Sequence, residues 1–378
     1  MVFGNWPMTP RQLRQIMVVI IMALLGIGIV AVYSSSAIVS EATYGGSLRF
    51  VLHHLISIVC GVGLGLGCLM MPYERLRRSA KWVLLLSMIL LVLVFVFGQE
   101  IGGAKRWFRI GRWSLQPSEL AQLSLVVYLA DLLARRSGHL QDFRRGLVPP
   151  LVATGLTAGL VLIQPDLGTT IAMGSVALLL LWVAHARWQH LVGVVAVAAV
   201  VLVVLIAGAE YRRRRMFAFL DPWADPRGSG YQILQSYFAL ASGGVAGLGV
   251  GASIQRLFFL PSAHADFIFA IIGEELGLVG TTAVLGLLAL FLTCGFRIAT
   301  ATQDLFSKYL VCGLVGMIGL EAMVNIAVVT GLLPTKGLPL PLISYGGSSM
   351  VMNLVACALI FRASKHAERL PVESPLGR

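Results

Sequence analysis

Residues 260–280 read LPSAHADFIFAIIGEELGLVG, a histidine and an aspartate at the lip of an apolar run that carries two adjacent glutamates further in. Ionisable groups at or inside a membrane helix are costly and mark function by default. Asp266 sits where water and a substrate hydroxyl could both reach it. A carboxylate between cations and an apolar wall has the attributes of a general base. The same position suits an N-cap. Glu274 and Glu275 lie deeper, where hydrogen bonds to neighbouring helices or a cation would hold them.

Three other stretches could join this chemistry. In GGAKRWFRIGRW, Gly pairs, aromatics and the cations Lys105, Arg106, Arg109 and Arg112 alternate in a loop, as in the wall of a pocket for an anion such as a lipid phosphate or diphosphate. The segment around 210–265 adds Arg212 to Arg215, Arg227 and Arg256, with DPWADPRGSGYQ as a shaped polar turn at its centre. TGLLPTKGLPLPLISYGGSS, residues 330–349, combines stiffening prolines, close-approach glycines, Lys336, and the hydroxyls of Ser344, Tyr345, Ser348 and Ser349. It fits a phosphate or sugar site and a tight hairpin about equally well. Two acidic turns, QPSEL with Pro117 and Glu119 and QPDLGTT with Asp166, read as helix starts, Asp166 as an N-cap.

The elements that must position these groups are membrane helices. The 378 residues are 57% hydrophobic and 12% charged, with mean hydropathy +0.85; soluble domains carry about a quarter charged residues. Apolar runs of about 20 residues predict ten spans near 15–35, 51–71, 80–98, 117–134, 147–164, 167–184, 190–209, 266–293, 308–332 and 346–362. The fold class is an all-α integral membrane protein. It is expected to be one polytopic domain over 1–378, with tails at 1–14 and 363–378 and a long loop, 210–265, between helices 7 and 8. GYQILQSYFALASGGVAGLG within that loop is helical in period and should lie on the membrane or re-enter it. One side of the ten-span map holds 17 of the 29 Lys and Arg, and the positive-inside rule makes it cytoplasmic, both termini included. The five cysteines fit neither a disulfide framework nor a zinc site and read as small apolar residues. Arg11 and Arg14 precede a full-length span with no cleavage site behind it.

In combination KRW, QPSE, PDLGTT, DPWADPRGSGYQ, GLGVGAS, AHADFIFAIIGEELG and PTKGLPLPLISYGGSS resemble the SEDS family, the shape, elongation, division and sporulation proteins, over about residues 15–362. The wording PTKGLPLP is closer to the division branch than to the elongation branch. The resemblance implies the ten-helix SEDS fold and a peptidoglycan glycosyltransferase that polymerises lipid II, with Asp266 as the essential acid. The candidate substrate-binding residues are Lys105, Arg106, Trp107, Glu119, Arg213, Arg214, Tyr231, Gln232, His264, Lys336, Ser344, Tyr345 and Ser348. The expected partners are lipid II, undecaprenyl diphosphate, a class B penicillin-binding protein and other division proteins, without nucleic acid. The expected location is the bacterial cytoplasmic membrane at the septum. No cofactor is required by the residues; a divalent cation, Mg or Mn, could accompany the diphosphate, although the sequence shows no metal cage.

Four positions depart from the family pattern. Ser262 stands for a common Glu, Gln122 for a Lys that could pair with Glu119, Arg256 for a Lys, and Glu321 for a Gln four residues before Asn325. Two rival readings are a lipid flippase, with Glu119, Asp166, Glu274, Glu275 and Glu321 lining a path, and a scaffold for a transpeptidase. A transporter tends to show an internal repeat; none is visible, and most ionisable groups lie at the exterior ends of the spans.

Overall fold

The structure is a computed structural model and describes residues 8–101, 104–110, 113–257 and 259–369. Nine of the described helices are long and apolar enough to cross a membrane, and Leu167–Val183 is a shorter apolar tenth. They coincide with the ten expected spans. The first six are α1 (Pro10–Tyr44), α2 (Arg49–Met70), α3 (Tyr73–Phe97), α4 (Pro117–Arg135), α5 (Val148–Ile163) and α6 (Leu167–Val183). They are followed by α7 (Trp188–Ala207), α8 (Glu210–Leu220), α9 (Tyr231–Gly243), α10 (Ile268–Ala301), α11 (Leu305–Val329) and α12 (Gly347–Arg369).

Several ends follow from local chemistry. Thr9 and Gln12 form a capping box ahead of Pro10, so α1 starts inside the stretch expected as an N-terminal tail. It runs on to Gly45, whose φ of 69° closes the helix in the left-handed region. Likewise α12 runs to Arg369, past the expected end at 362; residues 370–378 lie outside the described part. Pro117 opens α4, and Asp166 caps α6 by accepting the Thr169 N–H, as its position in QPDLGTT predicts.

The bundle is built around α4 and α11, whose surfaces are mostly buried against α3, α6, α10 and α12. Helix α2 lies along α12, and α1 along α10. Helix α7 is the exception, with no buried residue along its length. At one end Asp131 of α4 accepts from Arg77 at 2.9 Å and Arg135 at 2.6 Å, and Tyr73 bonds Asp304 and Ser307, clamping α3, α4 and α11. Cys294, Cys312 and Cys357 are buried as expected, whereas Cys60 is exposed on α2.

Two features go beyond the all-helical reading. The loop read around GGAKRW is a small antiparallel sheet in the order β1 (Gln99–Ile101), β2 (Ala104–Ile110), β3 (Trp113–Leu115). Gly102, Gly103, Gly111 and Arg112 of that motif lie outside the described residues. The long loop is ordered by α8, by α9 packed on α10, and by a segment that enters the bundle. Helix α10 breaks at Gly277, at φ 64° and ψ −158°. There Leu248 and Gly249 donate to the carbonyls of Glu274 and Glu275, while Leu278 and Val279 donate to Gly244 and Val245. The loop thus satisfies the backbone groups that the break releases, as non-helical backbone at membrane depth requires. A side chain at 277 would collide with the backbone of Gly247 and Val245, so only glycine fits.

Candidate active site

The glutamates of the GEELG stretch hold this re-entrant segment. Glu274, fully buried, accepts from Ser253 Oγ, from Ile254 N at 2.9 Å and from Gln255 N. Glu275 accepts from Ser34 Oγ of α1. Glu274 is thus held by the re-entrant segment and Glu275 by α1.

Asp266 has a different setting. Helix α10 starts at Ile268 with Phe267 at its N-cap and no side-chain cap bond, so the N-cap reading of Asp266 is overturned. Its backbone is fixed from two directions. The Asn325 amide on α11 donates to the Asp266 carbonyl at 2.8 Å and to the Leu338 carbonyl at 2.7 Å. Ser344 Oγ donates to the Ala265 carbonyl at 2.6 Å, and Tyr345 N to the His264 carbonyl at 2.9 Å. The PTKGLPLPLISYGG turn is thereby stitched to the HADF turn. Among the described residues no hydrogen bond reaches the Asp266 carboxylate, which rests against Gly337; a β-carbon there would come within 3.1 Å of it. Burial pushes its pKa up to about 6, against the opposing charge of Arg215.

A cleft of about 370 Å³ opens beside this turn. Tyr211, Arg214 and Arg215 of α8, Arg227 and Ser229 of the polar turn, Tyr231 and Gln232 of α9, Pro261 and Thr335 line it. Thr335 joins cleft and carboxylate, since it begins the Thr335–Lys336–Gly337 turn and its carbonyl lies 3.5 Å from Arg215 Nη1. The turn 225–229 is preformed: Asp225 accepts from the amide and hydroxyl of Ser229.

The expected residues divide around this cleft. Arg214, Tyr231 and Gln232 line it, with Arg214 also paired to Glu210. Arg213 is exposed on α8 and is not on the wall. The helical spacing 211, 214, 215 explains this, and it brings in Arg215, which the sequence reading did not single out. Lys336 is half-buried, with its chain beside Gly168 and Asp166. Burial lowers its pKa, and the charge of Asp166 opposes that shift.

Other expected residues support rather than line. Arg106 donates to the carbonyls of Gln164 and Pro165, both at 2.7 Å, and so ties β2 to the turn that carries Asp166. Lys105 is exposed on β2 and Trp107 half-buried. Ser348 Oγ accepts from Gln116 N at 3.3 Å, and Gln116 reaches Asp166 at 3.3 Å. The Ser344 hydroxyl is engaged on both sides, donating to Ala265 and accepting from Leu340 N at 2.8 Å. His264 stacks among Phe50 and Tyr345; burial lowers its pKa to about 4, so the ring is neutral near pH 7.

Glu119 is half-buried in the first turn of α4. The departures at 122 and 321 meet: Gln122 Nε2 donates to Glu321 Oε1 at 2.9 Å. The amide that stands where the family carries a cation therefore serves the acid that stands where the family carries an amide. As for a divalent ion, no group of three or more His, Cys, Asp or Glu side chains among the described residues is arranged to hold one.

A family profile described as cell cycle protein (FTSW_RODA_SPOVE) matches residues 14–369. The chain is 37% identical over 372 residues to the probable peptidoglycan glycosyltransferase FtsW of Geobacter metallireducens, covering 97% of this chain and 99% of that one. It is 37% identical over 354 residues to stage V sporulation protein E of Bacillus subtilis, covering 93% and 97%. Among solved structures it resembles a chain of a peptidoglycan synthase complex described as coordinating polymerization and crosslinking, with a TM-score of 0.77 and 31% identity over 94% of this chain and 98% of that one. It also resembles the rod shape determining protein RodA of Thermus thermophilus, at TM-score 0.68 and 27% identity, over 94% and 97%. With a match that runs from the first helix to the last, the chain belongs to the FtsW, RodA and SpoVE family of cell cycle proteins.

Proposed function

We propose that this chain is a peptidoglycan glycosyltransferase that polymerises lipid II during cell division, with Asp266 as its general base. The observation that carries the reading is the state of that carboxylate. It is half-buried, without a hydrogen bond from any of the described residues and raised to about 6, and it rests against the Thr335–Lys336–Gly337 turn whose first residue lines an arginine-rich cleft. A carboxylate so placed is ionised near neutral pH and still basic enough to take a proton.

In this mechanism the C4 hydroxyl of the lipid II GlcNAc attacks C1 of the MurNAc at the reducing end of the growing glycan. Asp266 takes the hydroxyl proton, the new glycosidic C–O bond forms, and the bond from C1 to the diphosphate breaks. Undecaprenyl diphosphate leaves with the electron pair. Arg214, Arg215 and Arg227 in the cleft, with Lys336 beside it, supply fixed positive charge where that negative charge develops. The neutral His264 ring, two residues before the carboxylate, packs with Phe50 and Tyr345.

The synthase complex among the similar structures supports a crosslinking partner, here a class B penicillin-binding protein, with other division proteins around it. The basic side of the ten-span map supports cytoplasmic termini and an extracytoplasmic cleft in the cytoplasmic membrane. The test is gel analysis of glycan made from lipid II by the purified protein, with and without the class B partner. Glycan strands are expected. Their absence in both arms, with the protein folded and inserted, would leave the scaffold or flippase reading.

A further inference from the structure

A second cleft, of about 490 Å³, lies at the opposite end of the bundle. Helix α4 runs from the Asp266 end at Pro117 to Arg135, and the connection that follows it forms one wall with His139, Gln141 and Phe143. The start of α7 forms the other with Arg187, at its N-cap, and His190, in its first turn. Nothing in the glycan chemistry uses these residues.

The walls are fixed to each other. Gln141 Nε2 donates to the His185 carbonyl at 2.8 Å, and Arg187 Nε donates to Gln141 Oε1 at 3.3 Å. The ring of Phe143 meets that of His190 edge-on at 5.2 Å. Asp142 is the one acid on the wall, and its Oδ1 is occupied by the N–H groups of Arg144 and Arg145. Next in the chain to the Asp142–Phe143 wall, Arg144 and Arg145 are exposed, and Arg136 donates to the Arg145 carbonyl at 2.6 Å.

Two further observations place this basic cleft at a lipid interface. Trp182 at the end of α6 and Trp188 at the start of α7 are 67% and 69% exposed, and Phe143 is 45% exposed. Exposed aromatics at span ends mark the headgroup level. Beside the cleft α7 buries none of its residues against the protein, so its apolar surface is open to acyl chains. We propose that this cleft binds the phosphate headgroup of an anionic phospholipid, whose acyl chains lie along the exposed apolar surface of α7. The lipid then supplies the packing that α7 lacks. The arginines in and next to the cleft, the aromatic level and the exposed surface of α7 together favour a lipid over a soluble anion, which needs only the first.

The test uses the full chain purified in detergent, and native mass spectrometry with added phosphatidylglycerol, phosphatidylcholine or inorganic phosphate. The parent should retain phosphatidylglycerol selectively. Arg187→Gln with His190→Gln should weaken that retention at least about tenfold, since a charge-assisted contact is worth roughly 1.5–3 kcal/mol. Arg75→Gln with Arg78→Gln, which removes two exposed charges outside the cleft, should leave it within about twofold. Equal loss in both pairs means diffuse attraction and overturns the site. Displacement of the lipid by millimolar phosphate overturns its lipid nature. A photoactivatable phosphatidylglycerol on the unmodified protein provides a readout independent of variant folding. Its crosslinks should concentrate in 138–143 and 182–190, and an even spread over the helices overturns the proposal.

Discussion

The Asp266 carboxylate lies against Gly337, close enough that a β-carbon at that glycine would stand 3.1 Å from Oδ2. The two residues belong to turns about 70 positions apart in the chain, joined by the Asn325 amide that bonds the carbonyls of Asp266 and Leu338. Gly337→Ala should displace the carboxylate by a few tenths of an ångström and lower glycan synthesis at least about tenfold, because general-base geometry tolerates little error. Thermal unfolding in detergent should change little. A fully active, correctly folded alanine variant would break the link between this contact and catalysis.

Asp266→Asn should abolish polymer formation while lipid II binding remains near the parent's, since the Asn325 and Ser344 bonds fix backbone atoms that the substitution leaves in place. In the parent, synthesis should rise with pH through about 6 and then level, as the carboxylate ionises. The measurement is glycan yield from lipid II across pH 5 to 8.

The same shift has a stability consequence of opposite sign to its catalytic use. The folded-state pKa is raised from 3.8 to about 6 by burial, so the native state favours the protonated acid. Ionisation near pH 7.5 costs roughly 3 kcal/mol, and this penalty disappears as pH falls below about 4. Asp266→Asn should therefore melt at a higher temperature than the parent at pH 7.5, with the difference shrinking toward pH 4. Equal melting temperatures at pH 7.5 would show that the native carboxylate is solvated.

Arg215 and Arg213 make a contrasting pair two positions apart. Arg215 lines the cleft and its charge holds down the Asp266 pKa; Arg213 is off the wall. Arg215→Gln should move the midpoint of the pH profile upward and weaken undecaprenyl diphosphate binding about tenfold. Arg213→Gln should leave both nearly unchanged. Equal effects would assign the arginines a general surface role.

Glu274→Gln replaces an acceptor of the Ser253 hydroxyl and the Ile254 amide with a group that has one acceptor oxygen. It should destabilise by about 1–3 kcal/mol, the cost of leaving buried donors unsatisfied. Some turnover should persist, because the proposed general base, Asp266, is elsewhere. Melting temperature and glycan yield measured on one preparation separate the two effects.

Much of this protein was legible from residue order alone. Ten apolar runs announce ten helices, because a bilayer forces each span to be long, apolar and hydrogen-bonded within itself. Asp166 as a cap and Pro117 as a helix start follow from short-range rules in the same way. The candidate acid also stood out, being a carboxylate at the lip of an apolar run.

What only the tertiary structure decided depends on segments far apart in the chain. Whether Asp266 caps α10 or stands free turned on where the helix begins, and packing places that start at Ile268. Which arginine reaches the cleft turned on the rotation of α8, which its run of four adjacent arginines does not reveal. The break at Gly277 and the loop that enters to satisfy it require Gly244–Gly249 and Glu274–Val279 to meet, a pairing no local pattern announces. Gln122 and Glu321 read as two separate departures in one dimension and form one hydrogen bond in three. Local sequence sets hydropathy and caps; contacts between distant residues depend on the packing of the whole bundle, and the site is made of such contacts.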